Sequence, residues 1–365
     1  MKKIEAARSA KGCDLLLFTS QPSLQYFFNY GGQSFERFSC GIISMHSGKS
    51  ALVIPKLDEP KSRESSAGGV HAWRDSEGYL EALQKALNEV GTGKRGAGPK
   101  IGCEANLAYW QMKALEKALP TPTLESITED ISKLRACKDE EEVSAILGAG
   151  GILSNGFRAV AEGLLEIGMS EREASFEIKK VLFDSGAAHV DFCAVQSGPN
   201  SAVPHLETTS RTIQRSDAVL IDISMRNEAG YFADFTRTFV AGDSSQELRK
   251  VHALVEEAQK AGVRKAREPG ATAEGVDGAA RKVIARSGME DLFFHRTGHG
   301  IGLEVHELPW ITSGNQAHLR KGMAFTVEPG IYIEGKFGVR IEDNVIIGPH
   351  GPIVIPELSK DLISI

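Results

Sequence analysis

Hydrophobic residues in the first third of the chain alternate between strand-like runs and helical spacing. Apolar runs predict strands at DLLLF (14–18), SALVIP (50–55) and KIGCEA (100–105). Apolar residues three and four apart predict helices at IEAARSA (4–10) and at EGYLEALQKALNEVG (77–91), the latter ending at its final glycine. This alternation of helices and strands is typical of an α/β domain.

The rest of the chain shows one pattern twice. Helical segments are predicted in two pairs, at 139–164, 170–186, 245–267 and 272–287. An apolar strand pair follows each helix pair, at AVLIDIS (218–224) with GYFADFTRTFVAG (230–242), and at AFTVEPGIYI (324–333) with FGVRIEDNVIIG (337–348). The pattern predicts two pseudo-repeated halves, each of two helices and an antiparallel strand pair.

A charged stretch, SKLRACKDEEEV (132–143), separates these two parts of the chain. A chain of 365 residues is too long for one ordinary hydrophobic core. We therefore predict a small amino-terminal domain at 1–131 and a second domain at 132–365. The segment GTGKRGAGPK (91–100) lacks the GK[ST] ending of a phosphate-binding P-loop, so it is interpreted as a surface loop.

Composition narrows the class of protein. Hydrophobic residues make up 41% and charged residues 25%, as in globular proteins. The net charge of -6 argues against nucleic acid or an anionic membrane as the main partner, and no stretch approaches the roughly 20 apolar residues of a membrane span. Five scattered cysteines without a CxxC pair indicate buried, reduced thiols. These features predict a cytoplasmic protein that acts on small molecules or peptides.

Four acids interrupt the apolar strands of the second part: Asp222, Asp234, Glu328 and Glu342. An unpaired carboxylate among aliphatic neighbours is costly. Pairing with Arg237 or Arg340 would explain any single acid, but two divalent cations would balance all four. The offsets between the halves nearly match, at 106 residues from Asp222 to Glu328 and 108 from Asp234 to Glu342, which suggests that the halves face one another.

Strand parity separates neighbouring acids. Residues two apart on a strand point to the same face, so Glu342 is expected to share its face with Arg340 while Asp343 points away. By the same rule Asp234 shares a face with Thr236. We therefore interpret Glu342 and Asp234 as site residues and Asp343 as an acid behind the site or in solvent.

The stretch HRTGHGIGLEVHE (295–307) holds three histidines among three glycines. It lacks the second histidine of HExxH, so a helical single-zinc site is not expected, and its glycine pattern is a weak match to a nucleotide loop. The glycines would instead let the backbone pass close beside a crowded site. Four carboxylates with an imidazole suit a pair of Mn(II), Co(II), Fe(II) or Zn(II) ions.

The motifs SGPNSAVPH, LID with FADFTRTF, HRTGHGIGLEVHE, TVEPG and RIEDN occur in this order from about residue 132 to the end. Together they resemble the dinuclear metallopeptidases of the pita-bread fold, which include methionine aminopeptidase, aminopeptidase P and prolidase. The first 130 residues are more loosely similar to the amino-terminal domain that this branch shares with creatinase. The resemblance implies a creatinase-like α/β domain followed by a pita-bread catalytic domain.

The resemblance also implies the metal ligands. It assigns Asp222 to one metal ion, Asp234 and Glu342 as bridges between two ions, and His299 and Glu328 to the second. All five residues are present. The implied cofactor is two divalent metal ions, with Mn(II) or Co(II) expected and Fe(II) or Zn(II) as alternatives.

Four further residues acquire roles in the same way. The resemblance puts His205 near the leaving nitrogen, His306 near the scissile carbonyl, His295 at the edge of the substrate pocket and Arg340 near the substrate carboxylate. Together with Glu328 as a proton carrier, His205 and His306 are the predicted catalytic residues. Two departures from the family pattern concern the substrate pocket and the metal site: Leu206 and Ser224 stand where glycine is common, and twelve residues rather than eleven separate Asp222 from Asp234.

The implied activity is hydrolysis of Xaa-Pro bonds in small peptides with proline at the second position. A Xaa-Pro dipeptidase (prolidase) is the first expectation, and a Xaa-Pro aminopeptidase acting on longer peptides is the alternative. A non-peptidase hydrolase or lyase and an inactive binding module are further alternatives on the same fold, and the intact ligand set argues against both. A homodimer is implied by the resemblance alone.

Overall fold

The computed structural model describes residue 3 and residues 12–32, 35–92 and 98–365. The chain forms two compact units, Met1–Leu134 and Arg135–Ile365. The predicted helix at 4–10 lies outside the described residues, as does the middle of the predicted surface loop at 91–100. The predicted domain boundary between residues 131 and 132 stays a prediction.

The amino-terminal unit is built on a six-stranded mixed sheet with the order β4-β3-β2-β1-β5-β6. Its strands are β1 Leu15–Phe18, β2 Cys40–Ser44, β3 Ser50–Pro55, β4 Gly69–Trp73, β5 Lys100–Cys103 and β6 Thr123–Ser126. Its helices are α1 Gln21–Phe28, α2 Leu80–Val90 and α3 Tyr109–Ala118, with a 3-10 helix at Lys56–Ser62, and α4 Thr128–Ala136 follows β6. The three strands and the helix predicted at 77–91 are present.

Strand β1 shows why the amino-terminal strands have continuous apolar runs. All four of its residues are buried, because helices cover both faces of the sheet. Leu15 and Leu17 face the cluster that contains Leu83 of α2. On the other face the rings of Phe18 and Phe27 lie 4.3 Å apart between centroids.

The first half of the second unit comprises α5 Glu140–Ala161, α6 Glu171–Asp184, β7 His189–Ser197, a 3-10 helix at Gly198–Ala202, β8 Ala218–Arg226 and β9 Phe232–Val240. Strands β7, β8 and β9 form one antiparallel sheet in that order. The predicted capping box opens α6, since Ser170 Oγ accepts from Glu173 N (3.2 Å) and Glu173 Oε2 accepts from Ser170 N (2.7 Å). The two helices and the sheet share one apolar core that includes Leu153, Ile178 and Ile221.

The second half comprises α7 Gln246–Ala266, α8 Ala273–Ala285, a 3-10 helix at Glu290–Leu292, β10 Gly298–Gly300, β11 Glu307–Ile311, β12 Ala324–Val327, β13 Gly330–Ile333, β14 Phe337–Arg340, β15 Asp343–Gly348 and β16 Gly351–Ile355. A five-stranded sheet has the order β11-β10-β12-β15-β16, and β13 pairs with β14 separately. Both halves therefore consist of two helices followed by antiparallel strands, as predicted.

The two long strands predicted in the second half are each divided in two. AFTVEPGIYI becomes β12 and β13, and FGVRIEDNVIIG becomes β14 and β15, with the breaks at Glu328-Pro329 and Ile341-Glu342. Proline has no N–H for the ladder, so a continuous strand cannot run through Pro329 without losing a hydrogen bond. The prediction of unbroken strands was therefore wrong, and both breaks coincide with acids of the candidate site.

The sequence predicted no stretch close to a membrane span, whereas helix α5 is long and apolar enough to cross a membrane by length and composition alone. Its apolar residues Ile146, Leu153, Phe157 and Val160 are all buried at 2% exposure or less. Leu153, Phe157 and Val160 belong to the apolar core of the first half. The helix is thus accounted for as a core helix of its unit.

Candidate metal centre

Strands β8 and β9 bring the first two acids to one face of their sheet. The antiparallel register sets Asp222 opposite Thr236 and Ser224 opposite Asp234. Residues 222 and 224, and likewise 234 and 236, are two apart and point to the same face, so Asp222 and Asp234 are diagonal neighbours.

The twelve-residue spacing between these acids is taken up by the turn. The ladder is regular from Arg226–Phe232 to Ala218–Val240, and residues 227–231 connect the two strands. Asn227 and Tyr231 close the turn, where Asn227 N donates to Tyr231 O (3.1 Å). The extra residue expected from the sequence therefore leaves the register at the acids undisturbed.

Glu328 and Glu342 lie at the two strand breaks of the second half. β12 pairs with β15 so that Val327 is opposite Asp343, and β13 pairs with β14 so that Gly330 is opposite Arg340. Both ladders have the same antiparallel register, which sets Glu328 opposite Glu342 in the gap between them. The two acids do not hydrogen-bond to each other through their backbone N–H groups. Glu328 N donates to Thr297 O (2.8 Å), and Glu342 N donates to Thr236 O (3.0 Å).

The four acids meet His299, which lies on β10 beside β12. Oxygens of Asp234 and Glu342 and a ring nitrogen of His299 lie within 4.8 Å of one another. His299 Nε2 is 3.3 Å from Glu328 Oε1 and 3.8 Å from Asp234 Oδ2. Among the described residues, this is the group of ligand side chains with the geometry to hold a metal ion.

Thr236 links the acids of the two halves. Its buried hydroxyl lies 2.9 Å from Asp222 Oδ1 and 2.7 Å from Glu342 Oε2, and it accepts from Arg340 Nε (3.2 Å). All five predicted ligands thus belong to one connected cluster. Asp234, His299 and Glu342 lie directly beside one another, Glu328 contacts His299, and Asp222 is linked by the hydroxyl of Thr236. Their assignment as metal ligands stays a prediction.

The acids of this cluster carry more negative charge than the protein neutralises. Burial, and then the neighbouring acids, raise the pKa values of Asp234 and Glu342 well above the usual range. Within the described part of the chain no hydrogen-bond donor meets Glu342 Oε1, although the atom is buried. A buried, unpartnered carboxylate oxygen beside other carboxylates fits a divalent cation, which would supply the missing positive charge.

His299 is held in the form that a metal ligand needs. Its backbone N–H donates to Thr326 Oγ1 (3.1 Å), and its Nδ1 lies 3.1 Å from Gly300 O, so Nε2 is left facing the acids. Burial lowers the pKa of this imidazole to about 4. The ring is therefore neutral near pH 7, with an oriented nitrogen lone pair.

The glycines around His299 allow close backbone packing. A Cβ at Gly298 would overlap the carbonyl oxygen of Thr326, and a Cβ at Gly300 would overlap that of Leu308. A Cβ at Gly302 would come within 2.8 Å of the Glu307 carboxylate. The structure thus supports the interpretation of these glycines as positions of close approach rather than as a nucleotide loop.

His306 and His205 are both exposed, and His306 lies beside His299 of the cluster. The rings of His306 and His299 are 4.2 Å apart between centroids and nearly perpendicular. Loss of water around its ring, and then repulsion from His299, Arg296 and His205, lower the pKa of His306 to about 4. His205 therefore lies close enough to influence His306, and both can face a substrate.

His295 and Arg340 meet at a tyrosine that the sequence interpretation did not single out. Tyr332 Oη is 2.9 Å from His295 Nε2 and accepts from Arg340 Nη1 (2.8 Å). Arg340 Nη2 also donates to Asp222 Oδ2 (2.6 Å). With its bond to Thr236, the buried guanidinium uses three of its five N–H groups inside the protein.

Other partners of the site were also missed. Asn344 holds Asp234 by two hydrogen bonds to its backbone (2.8 and 3.2 Å), and Thr326 Oγ1 donates to Glu328 Oε1 (3.1 Å). Glu307, which follows His306, is buried between Arg135 (2.5 Å) and Lys138 (3.1 Å). Their signal in the sequence is weak, because single polar residues in apolar strands do not reveal which distant residue they contact.

Asp343 behaves as the strand parity predicts. It points away from the cluster and is fully buried, where its carboxylate accepts from Arg237 (2.7 Å), Gln259 (2.8 Å) and Lys360 (2.7 Å). Arg237 also donates to the carbonyl oxygen of Glu342 (2.6 Å). Asp343 therefore anchors the strand behind Glu342.

Comparison with known proteins decides the family. The family model described as Metallopeptidase family M24 matches residues 144–349, more than half of the chain, and the Creatinase/Prolidase N-terminal domain matches residues 1–137. The chain belongs to metallopeptidase family M24. The resemblance drawn from the sequence motifs is confirmed, as is the fold class of a creatinase-like α/β domain followed by a pita-bread metallopeptidase domain.

Individual M24 relatives match along their full length. A prolidase from Thermococcus sibiricus superposes with a TM-score of 0.90 at 34% identity, covering 100% of this chain and 98% of that one. A probable dipeptidase from Mycobacterium bovis is 33% identical over 98% of this chain and 94% of its own. A Xaa-Pro dipeptidase from Pyrococcus horikoshii is 31% identical over 100% of this chain and 98% of its own. Membership of M24 makes this chain a metallopeptidase and implies divalent metal ions.

Proposed function

We propose that this M24 metallopeptidase hydrolyses the Xaa-Pro bond of dipeptides, as a prolidase. The observation that carries the proposal is the buried convergence of Asp234, His299 and Glu342, with an unpartnered carboxylate oxygen on Glu342, beside the linked pair His295–Tyr332. The first group suits divalent metal ions, and the second offers polar contacts for a small peptide. Full-length likeness to proteins named prolidase and Xaa-Pro dipeptidase supports the same substrate class.

We infer two divalent metal ions, with Mn(II) or Co(II) preferred and Fe(II) or Zn(II) as alternatives. Asp222 would hold one ion, His299 and Glu328 the other, and Asp234 and Glu342 both. Divalent ions bound in such a site lower the pKa of a bound water towards neutrality and polarise a peptide carbonyl. The four carboxylates supply enough negative charge for two such ions.

The catalytic work of the side chains follows from their protonation and exposure. His306 is neutral at pH 7, so it can donate one N–H to the carbonyl oxygen of the substrate as negative charge develops there. Thr326 holds Glu328 by its Oε1, and no described residue hydrogen-bonds Oε2, so we propose that Glu328 accepts a proton there and passes it on. His205, exposed at the edge of the cluster, is the proposed group for the leaving nitrogen.

Recognition of a proline-containing substrate has to use shape and the terminal carboxylate, because the proline nitrogen carries no N–H. Arg340 keeps two N–H groups beyond those used by Tyr332, Asp222 and Thr236. Tyr332 joins Arg340 to His295, so the three side chains form one polar wall. We propose this wall as the contact for the carboxylate end of the substrate.

The test of the function is metal-dependent cleavage of a small peptide panel. Metal-stripped protein is re-supplied with Mn(II), Co(II), Fe(II) or Zn(II) and assayed on Ala-Pro, Met-Pro and Ala-Ala. We expect cleavage of the two proline dipeptides with at least one metal ion and little cleavage of Ala-Ala. Absence of turnover on every substrate with every ion would refute the proposal and favour a binding protein on this fold.

Substrate length separates the dipeptidase from the aminopeptidase. The same loaded protein is assayed on Ala-Pro, Ala-Pro-Ala and a longer Ala-Pro peptide. Fast release of alanine from the longer peptides with little cleavage of Ala-Pro would assign a Xaa-Pro aminopeptidase instead. Cleavage of a guanidino compound such as creatine, without peptide cleavage, would assign a non-peptidase hydrolase.

We also propose a cytoplasmic homodimer with domains at 1–131 and 132–365. Buried free thiols at four of the five cysteines suit a reducing compartment. The net charge of -6 gives nucleic acid and anionic membranes no electrostatic attraction to the chain as a whole. Sedimentation velocity of the purified protein tests the dimer.

A further inference from the structure

The segment Ser197–Thr209 carries His205 between β7 and β8. His205 is exposed, and no hydrogen bond or ion pair joins its ring to another described residue. Its position therefore depends on how the backbone of the segment is held. Two buried side chains outside the candidate metal cluster hold that backbone, at its two ends and at its tip.

Glu171, at the start of α6, joins the two ends of the segment. Its side chain is fully buried. One oxygen, Oε1, accepts from Ser197 N (2.7 Å), Ser197 Oγ (2.8 Å) and Asn200 Nδ2 (3.0 Å). The other, Oε2, accepts from Thr209 N (3.0 Å) and Thr209 Oγ1 (2.6 Å).

These contacts require a carboxylate rather than any polar group. No lysine, arginine or histidine among the described residues forms an ion pair with Glu171, and both of its oxygens accept hydrogen bonds from the segment. Each oxygen accepts from a backbone N–H, of Ser197 on one side and of Thr209 on the other. An amide nitrogen at either position would face a donor, so glutamine cannot satisfy both ends.

Gln196 holds the tip of the segment. It is fully buried, and its Nε2 donates to the carbonyl oxygens of Val203 (3.1 Å) and Leu206 (2.7 Å), which flank Pro204 and His205. Both partners are carbonyls, which only accept hydrogen bonds, so the amide nitrogen must face them. One side chain thus clamps the backbone on both sides of His205.

The middle of the segment is fixed against the strand that ends in Arg340. Ser201 Oγ accepts from Gly338 N (2.8 Å) and donates to Gly198 O (2.6 Å). A Cβ at Gly338 would overlap the carbonyl oxygen of Ser201. Because the segment packs tightly on β14, displacement of its tip would change the distance between His205 and the polar wall of His295, Tyr332 and Arg340.

We propose that Gln196 and Glu171 are positioning residues for His205, with Gln196 clamping the tip of the Ser197–Thr209 segment and Glu171 joining its ends. The inference rests on the proposed function, because it assigns these residues to the cleavage of the Xaa-Pro bond. Neither side chain belongs to the metal cluster, so the two should affect rate without affecting metal content.

A double-mutant cycle tests the proposal. Gln196→Met keeps the side-chain length and removes both N–H donors. Its kcat and KM on Ala-Pro are compared with those of His205→Ala and of the double variant, each loaded with Mn(II). We expect Q196M to lower kcat about tenfold or more at unchanged manganese content, and to have no further effect in the H205A background.

Glu171→Gln is run through the same cycle, and Glu142→Gln is the matched control. Glu142 is also a buried acid in the first turn of a helix, α5, and it is hydrogen-bonded to Asp139 and to Tyr231 Oη, which lie outside the segment and the metal cluster. We expect any effect of E142Q to multiply with that of H205A, whereas the effect of E171Q disappears in that background. If the effects of Q196M and of E171Q on kcat each multiply with the effect of H205A, the proposal is overturned.

Hydrogen exchange of the segment gives a readout that does not need activity. We expect faster exchange over 197–209 in Q196M and E171Q than in wild-type protein, with unchanged exchange in E142Q. Unchanged exchange in the two segment variants would overturn the proposal even if the protein cleaved no Xaa-Pro peptide. An inactive wild-type protein with faster exchange in the variants would refute the proposed function alone.

Discussion

Thr236 offers the sharpest test of how the two halves of the site are joined. Its hydroxyl contacts Asp222 and Glu342 and accepts from Arg340, while its backbone carbonyl accepts from Glu342 N. Thr236→Val keeps the shape of the side chain and the backbone contact, and removes only the hydroxyl. The variant therefore isolates the hydroxyl, which has one proton to donate and lies within hydrogen-bond distance of two of the proposed metal-binding acids.

The expected magnitude follows from the charge and burial of these partners. A hydrogen bond to a buried charged group contributes about 1.5–3 kcal/mol. Loss of a group that orients a metal ligand weakens metal binding by roughly 10–100-fold, which equals about 1.4–2.7 kcal/mol. The two estimates agree, so we expect T236V to bind Mn(II) roughly 10–100-fold more weakly than the wild-type protein.

The assay is calorimetric titration of metal-stripped protein with Mn(II). Thr236→Ser is the matched control, because serine keeps the hydroxyl and lacks only the methyl group. We expect T236S to bind Mn(II) within about threefold of the wild-type protein, since the oriented hydroxyl is retained. Circular dichroism of all three proteins checks that the fold is intact.

Two outcomes would refute this reasoning. Folded T236V that binds Mn(II) as tightly as the wild-type protein would mean that the hydroxyl does not orient the acids. T236S that binds as weakly as T236V would mean that packing of the Thr236 methyl group, rather than its hydroxyl, holds the site together.

Three further predictions concern the ligands and the backbone of the site. His299→Ala should lower the amount of bound Mn(II) measured by atomic absorption, whereas His306→Ala should keep the metal and lose rate; equal loss of metal in both would contradict their separate roles. Gly300→Ala should lower the midpoint of urea unfolding, because its Cβ would overlap the carbonyl oxygen of Leu308. As a control, Gly278→Ala, in open space within α8, should raise the free energy of unfolding by about 0.5–1 kcal/mol. Burial and neighbouring acids raise the pKa values of Asp234 and Glu342, so protons must leave as Mn(II) binds and the affinity for Mn(II) should fall as pH falls. Calorimetry in buffers of different ionisation enthalpy should detect the proton release. Glu342→Gln should reduce the number of protons released.

Much of the fold follows from short-range patterns. Helices α5 to α8 match the predicted segments to within three residues at each end, because apolar spacing and capping residues such as Ser170 act within a few residues of the chain. Strands β3 and β9 follow from apolar runs in the same way. Asp222 in β8 and Asp234 in β9 were visible for the same reason, since a carboxylate in an apolar strand is conspicuous on its own.

The division of the second-half strands could not be predicted from short-range sequence patterns. Apolar residues flank Glu328, and Glu342 with Asp343 and Asn344 stands between Ile341 and Val345, so the local pattern favours unbroken strands. Pairing decides otherwise, because β12 and β15 belong to one sheet and β13 and β14 to another. The parity prediction for Asp343 survives the break, since Asp343 begins β15 and pairs with Arg237.

The sequence by itself indicated the side chains that we propose carry the chemistry, through acids in apolar strands and histidines among glycines. Only the tertiary structure decided how they are held. Thr236 reaches Glu342 across 106 residues, Tyr332 joins His295 to Arg340, and Gln196 clamps the backbone around His205. Such partners depend on the register of strands and loops distant in the chain, and a single threonine, tyrosine or glutamine carries no local pattern that reveals its contact.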